Sequence, residues 1–320
     1  MSAPLEIEQR RLGRTEVFVP RVALGCGNFG GVGSAPAFFG QGLDQNEAFA
    51  LMDAAWELGI RHFDTADAYG GGRSESMIGL WIRARGVVPT ITTKTFNAMA
   101  EGVDHGLGPE RIVRQLDSSR ERLGLASVDL YLAHDYDPYV PLDSTMGAFE
   151  DLMGTGLIRA YGVSNFDAAQ LDSALVAGEP SAIQNSLSLL ERGDERSVVP
   201  LAAENDVAYL AYGPLAGGWL TGKYRPGRPF PDGSRMTQRP EPYEHLINDR
   251  TFDALDQLQR ITDARGTSMA GTALAWLLAD ERVTQIVLGP GRPEHLTPLS
   301  EALQSPLSTD ECTEVSRAFR

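Results

Sequence analysis

The sequence predicts an α/β fold, a (β/α)8 barrel of parallel strands and outer helices, and three observations support it. Eight short apolar runs recur along the chain, as expected for strands that are buried on both faces. Amphipathic segments with helical spacing lie between these runs. Polar and ionisable residues stand at the ends of several runs, where a barrel gathers its functional groups. The predicted strands are residues 22–24, 61–64, 88–94, 128–133, 158–163, 182–184, 207–211 and 284–288.

The segments between the strands have apolar residues three and four positions apart and turn residues at their ends, which is typical of helices. Eight strands with intervening helices favour a closed barrel, although an open, doubly wound sheet has a similar order of elements, and the strand-end residues decide between the two. Composition does not change between the two halves, and we therefore expect residues 1–320 to form one domain. The clearest predicted helices are residues 46–58, 109–123, 145–153 and 252–264.

Two long segments depart from the strand and helix pattern. Residues 25–42 are rich in glycine and phenylalanine, and residues 224–246 are rich in proline. Loops of this length at the mouth of a barrel are often lids or substrate walls, although mobile surface loops are the alternative interpretation. Residues 25–30 read GCGNFG and fit a dinucleotide-binding fingerprint, but the required helix is not predicted after them, so we reject that site.

Charge and cysteine content restrict the possible partners. The chain carries 28 Lys and Arg against 43 Asp and Glu, a net charge of −15 that disfavours nucleic acid and anionic lipid as partners. Cys26 and Cys312 give no disulfide framework and no metal-ligand spacing. Neither a secretory signal nor a run of about 18 apolar residues is present. We therefore expect a cytoplasmic protein, with a small-molecule substrate, no membrane partner and no metal.

Four ionisable residues near the strand ends suggest proton transfer to a carbonyl oxygen. Asp64 ends the second predicted strand, Lys94 ends the third, and His134 follows the fourth, while Tyr69 lies five residues after Asp64. A phenol, with a pKa of about 10, is a weak acid, and a nearby ammonium ion favours its ionised form. In a shared site, Asp64 holds Lys94, Lys94 lowers the pKa of Tyr69, and His134 orients the carbonyl. Each residue alone also has an ordinary structural interpretation.

Six further motifs stand out along the chain: FDTADAYGGGRSE, TTK, LYLAHDYD, LIRAYGVSNF, IQNSLSLL and YGPLAGGWLTGKY. Together they resemble the signatures of the aldo-keto reductase family. The resemblance extends from RRLGRTEVFVPRVALG to the last helices, and it implies a barrel with an N-terminal β-hairpin and long loops at the C-terminal mouth. It also implies that Tyr69 is the general acid, that Lys94 and Asp64 tune it, and that His134 orients the substrate.

The same resemblance implies a binding site for a nicotinamide cofactor. It assigns Ser164, Asn165 and Gln184 to the nicotinamide carboxamide and Tyr212 to stacking on the nicotinamide ring. Gly25 and Cys26 are expected beside the nicotinamide ribose, and residues 213–223 are expected to wrap the pyrophosphate. The residues expected in that last segment are Gly213, Pro214, Leu215, Gly218 and Lys223. Arg235 matches a position that closes a flap over the cofactor.

The motif for the adenine end departs from the family pattern, in which a glycine is followed six residues later by Gln and then by Glu-Asn. This chain has His295 at the Gln position, with Pro298 and Leu299 at the Glu-Asn positions. The matching residues that remain are Gly289, Gly291 and Arg292. Because a guanidinium group binds phosphate well, Arg292 or Arg235 favours NADP(H), with NAD(H) as the alternative. His295 is either a contact to adenine or phosphate, or a surface histidine.

The favoured function is reduction of an aldehyde or ketone by NADPH. One alternative is a sugar or alcohol dehydrogenase that uses the same residues in the oxidative direction with NAD(P). Another is a nucleotide-binding redox sensor like the channel β subunits, which have Asn in place of His134. The sequence indicates neither the substrate nor the oligomeric state. Aromatic residues compatible with either a substrate wall or ordinary packing are Phe29, Phe38, Phe39, Tyr136 and Trp219.

Overall fold

Eight parallel strands close into a barrel in the computed structural model of the chain, which describes residues 6–102 and 104–319. The strands are β1 Gln9–Arg11, β2 Phe18–Pro20, β3 Val22–Gly25, β4 His62–Asp64, β5 Thr90–Thr95, β6 Val128–Ala133, β7 Ile158–Ser164, β8 Ala182–Ser186, β9 Ala208–Tyr212 and β10 Val283–Leu288. Strands β3 to β10 are neighbours in chain order, and β10 pairs back with β3. This last pairing confirms the predicted barrel and excludes the open sheet.

Helices surround the barrel and connect successive strands. They are α1 Gln45–Leu58, α2 Arg73–Arg85, α3 Pro109–Leu123, α4 Leu142–Gly154, α5 Ala168–Ala177, α6 Val198–Glu204, α7 Arg235–Gln238, α8 Asp249–Arg265, α9 Met269–Leu278, α10 Thr297–Gln304 and α11 Thr309–Ala318. The prediction for α3 matches its bounds, whereas α1, α4 and α8 begin one to three residues before the predicted starts. The first turns of α1 and α8 are polar, and in that of α4 only Leu142 is apolar, so apolar spacing does not reveal them. In α8, for example, the Asn248 side chain caps the helix by accepting from the Thr251 amide.

The N-terminal hairpin of β1 and β2 covers one opening of the barrel. Its strands are antiparallel, with Arg10 opposite Val19. Three side chains of the hairpin segment, Leu12, Val17 and Val19, belong to a buried cluster with inward side chains of the barrel, among them Leu130 and Leu210. Burial of this apolar cluster closes the N-terminal end of the barrel, and the predicted hairpin is therefore confirmed.

The opposite end of the barrel presents polar side chains to its interior. Side chains alternate between the two faces of a strand, so the inward residues of each strand are two positions apart. In β6 and β9 the inward residues near the hairpin are apolar. In β4, β5 and β8 the inward positions at the C-terminal ends carry Asp64, Lys94 and Gln184, and both Lys94 and Gln184 donate hydrogen bonds to Asp64. The fold therefore gathers its polar groups at the C-terminal mouth.

Both predicted long loops lie at this mouth. Residues 25–42 have no α-helix and only a short 3-10 turn at Pro36–Phe38. Residues 224–246 are more ordered than predicted, because they include α7 and a 3-10 turn over Glu241–Leu246. Pro242 lies in the first turn of that 3-10 segment, where its missing N–H costs no hydrogen bond. The lid role of both loops stays a prediction.

Two further observations concern the whole described chain. None of its helices is both long enough and apolar enough to cross a membrane. Cys26 is buried and Cys312 is half-buried, and both are free thiols. The cytoplasmic location and the single domain over residues 1–320 stay predictions.

Candidate functional site

The four predicted catalytic residues meet at the C-terminal mouth of the barrel. Lys94 Nζ lies 2.5 Å from Asp64 Oδ1 and 3.5 Å from the hydroxyl oxygen of Tyr69. The ring of His134 meets the ring of Tyr69 edge-on, with centroids 5.5 Å apart. Residues distant in the sequence thus form one compact group of a carboxylate, an ammonium, a phenol and an imidazole.

Lys94 is a fully buried ammonium group whose three protons all have acceptors. Its Nζ donates to Asp64 Oδ1, to the backbone oxygen of Thr65 at 2.9 Å and to the Tyr69 hydroxyl. Burial lowers the pKa of Lys94, but the opposing effects of Asp64 and Tyr69 outweigh burial, and the net pKa is raised. Lys94 therefore stays charged at neutral pH.

The pKa of Tyr69 is raised and not lowered, contrary to the expectation from the sequence, so the phenol stays protonated at neutral pH. Burial raises the pKa of Tyr69, and the charge of Lys94 opposes this only in part, because Asp64 offsets the ammonium. The hydroxyl oxygen accepts from Lys94, and among the described residues no acceptor lies within hydrogen-bond distance of its own proton. The phenol is therefore a proton donor without a protein partner.

His134 is a neutral imidazole in this group. It is 9% exposed, and burial followed by the charge of Lys94 lowers its pKa well below the usual value. Its backbone is fixed at both ends, since its N–H donates to Thr95 O at 2.9 Å and its carbonyl accepts from Asn165 Nδ2 at 2.8 Å. Asn97 Nδ2 lies 3.2 Å from His134 Nδ1. A neutral ring held in this way can donate one N–H to a ligand.

The loop of residues 25–42 packs directly on the turn that carries Tyr69. Gly70 has a φ of 59° and lies so close to this loop that a Cβ atom would come within 2.7 Å of Phe29 O. Only glycine fits this approach without moving the backbone. The ring of Tyr69 in turn lies 3.5 Å from the place that a Cβ of Gly27 would occupy. The glycine-rich loop therefore helps to fix the position of Tyr69.

The residues predicted to bind nicotinamide surround the four predicted catalytic residues. Gln184 Nε2 donates to Asp64 Oδ2 at 2.7 Å, and Ser164 Oγ donates to Gln184 O at 2.7 Å. Tyr212 donates its hydroxyl proton to Asn165 Oδ1 at 2.7 Å. Gln184 thus also supports the carboxylate that holds Lys94. On the other side, the Cys26 amide, next to Gly25 at the end of β3, donates to Asp64 O at 2.8 Å.

The predicted pyrophosphate segment follows Tyr212 at the end of β9. Gly213, Pro214 and Leu215 lead into a 3-10 turn at Ala216–Thr221, and Gly218 within it has a φ of 94°. A Cβ at Gly218 would lie 2.5 Å from Lys223 Nζ, so the lysine amine rests over this glycine. Tight left-handed turns of this kind expose backbone N–H groups that suit phosphate oxygens.

Basic residues collect at the far end of this segment. Partial burial and the charges of Arg235 and Arg292 lower the pKa of Lys223, so these three cations lie close enough to act on one another. Among the residues that the structure describes, none of the three has an ion-pair partner. In a chain with a net charge of −15, such a group suits an anionic ligand.

His295 joins this basic group as a neutral side chain. Gly291 N and Arg292 Nε lie 3.2 and 3.0 Å from its two ring nitrogens. Burial, then the charges of Arg292 and Lys223, lower its pKa, so the protonated form is disfavoured without an anion. Gly289 follows β10, beside Gly25 of β3, and completes the set of predicted cofactor residues.

Three polar residues near the C-terminal end of β5 are not predicted from the sequence. Asp67 is fully buried, and burial raises its pKa to about 7, although Thr95 donates to its Oδ2 at 2.7 Å. Arg111 donates to Thr95 Oγ1 at 2.7 Å and to Asn97 O at 2.8 Å. A signal is present, because Asp67 is the second acid of DTADAY and Asn97 follows Lys94 by three residues.

The chain is similar to known oxidoreductases over nearly its whole length. Residues 21–319 match the model of the aldo/keto reductase family. An aldo-keto reductase of Bacillus subtilis, YhdN, is 30% identical over 97% of this chain and 93% of its own. The L-glyceraldehyde 3-phosphate reductase of Escherichia coli O157:H7 is 30% identical over 98% of this chain and 92% of its own. The solved structure of a glycerol dehydrogenase from Gluconobacter oxydans is 26% identical, with a TM-score of 0.82, covering 97% of this chain and 94% of that one.

Proposed function

Because the chain belongs to the aldo/keto reductase family, whose members are oxidoreductases that use NAD(P)H, we propose that it reduces an aldehyde or ketone to an alcohol with NADPH. The observation that carries this proposal is the contact of Lys94 with both Asp64 and Tyr69, beside the neutral ring of His134. This group can place one proton on an oxygen atom, which is what carbonyl reduction requires of the protein.

The residues act on the carbonyl oxygen. His134 donates a ring N–H to this oxygen and orients the carbonyl group. Tyr69 transfers its hydroxyl proton to the same oxygen as the carbon receives a hydride, which the cofactor supplies when it is bound. The products are the alcohol and a phenolate at Tyr69. Lys94, only 3.5 Å away, stabilises that phenolate, and Asp64 keeps Lys94 in place.

The protonation state of Tyr69 is the one that the reductive direction requires. Because burial raises its pKa, the phenol carries the proton that reduction consumes at neutral pH. Alcohol oxidation needs a phenolate base instead. Once the proton has moved, the Lys94 ammonium lowers the free energy of the phenolate. Tyr69 and Lys94 together therefore suit both the phenol before the reaction and the phenolate after it.

The residues at the mouth fit a nicotinamide dinucleotide phosphate. Ser164, Asn165 and Gln184 offer neutral hydrogen-bonding groups near Asp64, and the half-buried Tyr212 lies next to them. The cations Lys223, Arg235 and Arg292, unpaired among the described residues, suit the phosphates. Three cations at this end are more than a pyrophosphate alone requires, which favours NADPH over NADH.

A carbonyl panel tests the proposal. Aldehydes, ketones and reducing sugars are offered with NADPH and then with NADH, and the absorbance of the reduced nicotinamide is followed. The Lys94→Met variant, purified in the same way, measures the rate of contaminating host enzymes. We expect reduction with NADPH that clearly exceeds the variant's rate. If no carbonyl is reduced above that rate with either cofactor, the proposal is wrong.

Alcohol oxidation is the second candidate, because the chain is structurally similar to a glycerol dehydrogenase. This direction requires Tyr69 to ionise, and the raised pKa of Tyr69 predicts that oxidation is slow at neutral pH and accelerates in alkali. Rates of polyol oxidation with NAD⁺ and NADP⁺ at about pH 7 and about pH 10 separate the two candidates. Faster oxidation than reduction at neutral pH would favour the dehydrogenase.

A further inference from the structure

We propose that Asn97 is a positioning residue that fixes the tautomer of His134, by donating its side-chain N–H to Nδ1 so that the ring proton stays on Nε2. The inference rests on the proposed function, in which His134 donates to a carbonyl oxygen. Asn97 lies outside the proposed catalytic group of Asp64, Tyr69, Lys94 and His134 and would act on the reaction only through His134.

The contact itself constrains the proton. A neutral imidazole has one N–H donor and one acceptor nitrogen. Asn97 Nδ2 lies 3.2 Å from Nδ1 of His134, and an amide NH₂ group can only donate. Nδ1 is therefore the acceptor, and the proton is on Nε2. A carbonyl oxygen has no proton to give, so only the Nε2–H tautomer of His134 can bind a carbonyl with that nitrogen.

Buried contacts hold Asn97 in place. The backbone carbonyl of Asn97 accepts from Arg111 Nη2 at 2.8 Å. Arg111 is 5% exposed, and its Nη1 also donates to Thr95 Oγ1 at 2.7 Å and to Gly106 O at 3.1 Å. The Thr95 hydroxyl in turn donates to Asp67 at 2.7 Å. The backbone at Asn97 is thereby fixed to α3 and β5, although the residue lies beyond the end of the strand.

The side-chain amide of Asn97 can be tested by replacing it with a carboxylate of the same shape, because the carboxylate would accept a hydrogen bond from His134 Nδ1 and not donate one. In Asn97→Asp, the new carboxylate has no proton to donate and accepts one from Nδ1. Burial and the charge of Lys94 keep the ring neutral, so its single proton moves to Nδ1. Nε2 then has no N–H to donate to a carbonyl oxygen. Asn97→Leu removes the donor without imposing a new partner, so both tautomers become accessible.

Histidine NMR of the protein without cofactor tests the tautomer directly. Protein labelled with ¹⁵N only at histidine is observed in long-range ¹H–¹⁵N spectra, which report the ring nitrogen that carries the proton. The His134 signals are assigned by their loss in His134→Gln. We expect Nε2–H in the wild type and in the control Asn46→Asp, which makes the same change at an exposed residue of α1. We expect the proton on Nδ1 and none on Nε2 in Asn97→Asp.

Kinetics then connects the tautomer with turnover. We expect kcat for carbonyl reduction to fall about 100-fold in Asn97→Asp, as for the loss of one preorganised donor, and about tenfold in Asn97→Leu. The dissociation constant for NADPH, measured by fluorescence titration, should change less than about twofold, since the change acts on the substrate carbonyl. Circular dichroism confirms that each variant is folded, and Asn46→Asp should match the wild type.

The outcomes separate this inference from the proposed function. A wild-type His134 that carries its proton on Nδ1, or a tautomer unchanged in Asn97→Asp, overturns the inference even if the enzyme is a reductase. The same holds if the tautomer changes but kcat does not. A wild-type protein that reduces no carbonyl refutes the proposed function, whereas the wild-type spectrum, once assigned with His134→Gln, still decides the tautomer.

Discussion

Replacing Asp67 with asparagine should make the protein more stable in mild alkali but not in acid. Asp67 is fully buried among β4, β5 and α3, and its only side-chain partner in the described structure is the Thr95 hydroxyl. Its charged surroundings are Glu75 of α2, which disfavours its ionisation, and Arg111 of α3, which favours it. Tyr131 of β6 also lies close enough for Asp67 to contribute to raising its pKa. Burial is the largest influence, and the pKa is raised from 3.8 to about 7.

The size and sign of the effect follow from this pKa. In the unfolded chain Asp67 ionises near its usual pKa of about 4, whereas the folded protein keeps the proton until about pH 7. The folded state therefore binds more protons between these values, and its stability falls as the pH rises through them. A tenfold change in proton affinity is worth about 1.4 kcal/mol, so the wild type loses up to about 4 kcal/mol above pH 7.

Urea unfolding followed by circular dichroism measures this effect. The asparagine side chain of the Asp67→Asn variant keeps an oxygen that accepts from Thr95, but it cannot ionise. The free energy of unfolding of Asp67→Asn relative to the wild type should therefore rise by up to about 4 kcal/mol between about pH 4 and about pH 8. A difference that is the same at both pH values would show that Asp67 does not change its ionisation on folding, and the reasoning would be refuted.

Two further predictions concern packing and the cofactor. Trp219 is fully buried against Tyr224, Phe230 and Phe252; Trp219→Ala should lower the free energy of unfolding by about 3–5 kcal/mol in urea titrations. The relative rates of the Trp219→Ala variant on different carbonyls should match those of the wild type. An altered substrate preference would instead show that Trp219 is part of the substrate wall. Arg292→Ala should weaken NADPH binding about tenfold or more in fluorescence titrations and leave NADH binding nearly unchanged. Equal losses for the two cofactors would contradict a contact between Arg292 and the 2′-phosphate.

The barrel and the core of the site can be predicted from the sequence because both depend on local patterns. Short apolar runs reveal buried strands, and the residue that ends such a run lies at the barrel mouth in any fold of this type. Asp64 and Lys94 end such runs, and His134 follows one directly. Tyr69 lies five residues after Asp64 in the sequence, in the loop that begins at the same strand end. Helix starts are less predictable, since polar first turns such as that of α8 carry no apolar signal.

Properties that depend on packing cannot be predicted in this way. The charge of Lys94 alone predicts a lowered pKa for Tyr69, but burial by the surrounding loops raises it. Asn97, Arg111 and Asp67 act through contacts between different elements. The position of Asp67 in DTADAY and the spacing of Asn97 from Lys94 place two of them near the site, but they do not indicate which residues these side chains contact. Trp219 is compatible with a substrate wall by its position in the sequence, yet the structure buries it completely. A residue type and position suggest a role, whereas burial and partners decide it.

Turnover of Tyr69→Phe measures most directly whether these residues form a reductase site. The substitution removes only the hydroxyl group, and Tyr139→Phe removes the same group from a tyrosine that is 90% exposed. NADPH binding should be nearly unchanged in both variants, while carbonyl reduction should fall by about 100-fold to 10,000-fold in Tyr69→Phe alone. Wild-type turnover in Tyr69→Phe would contradict the role of Tyr69 as the proton donor.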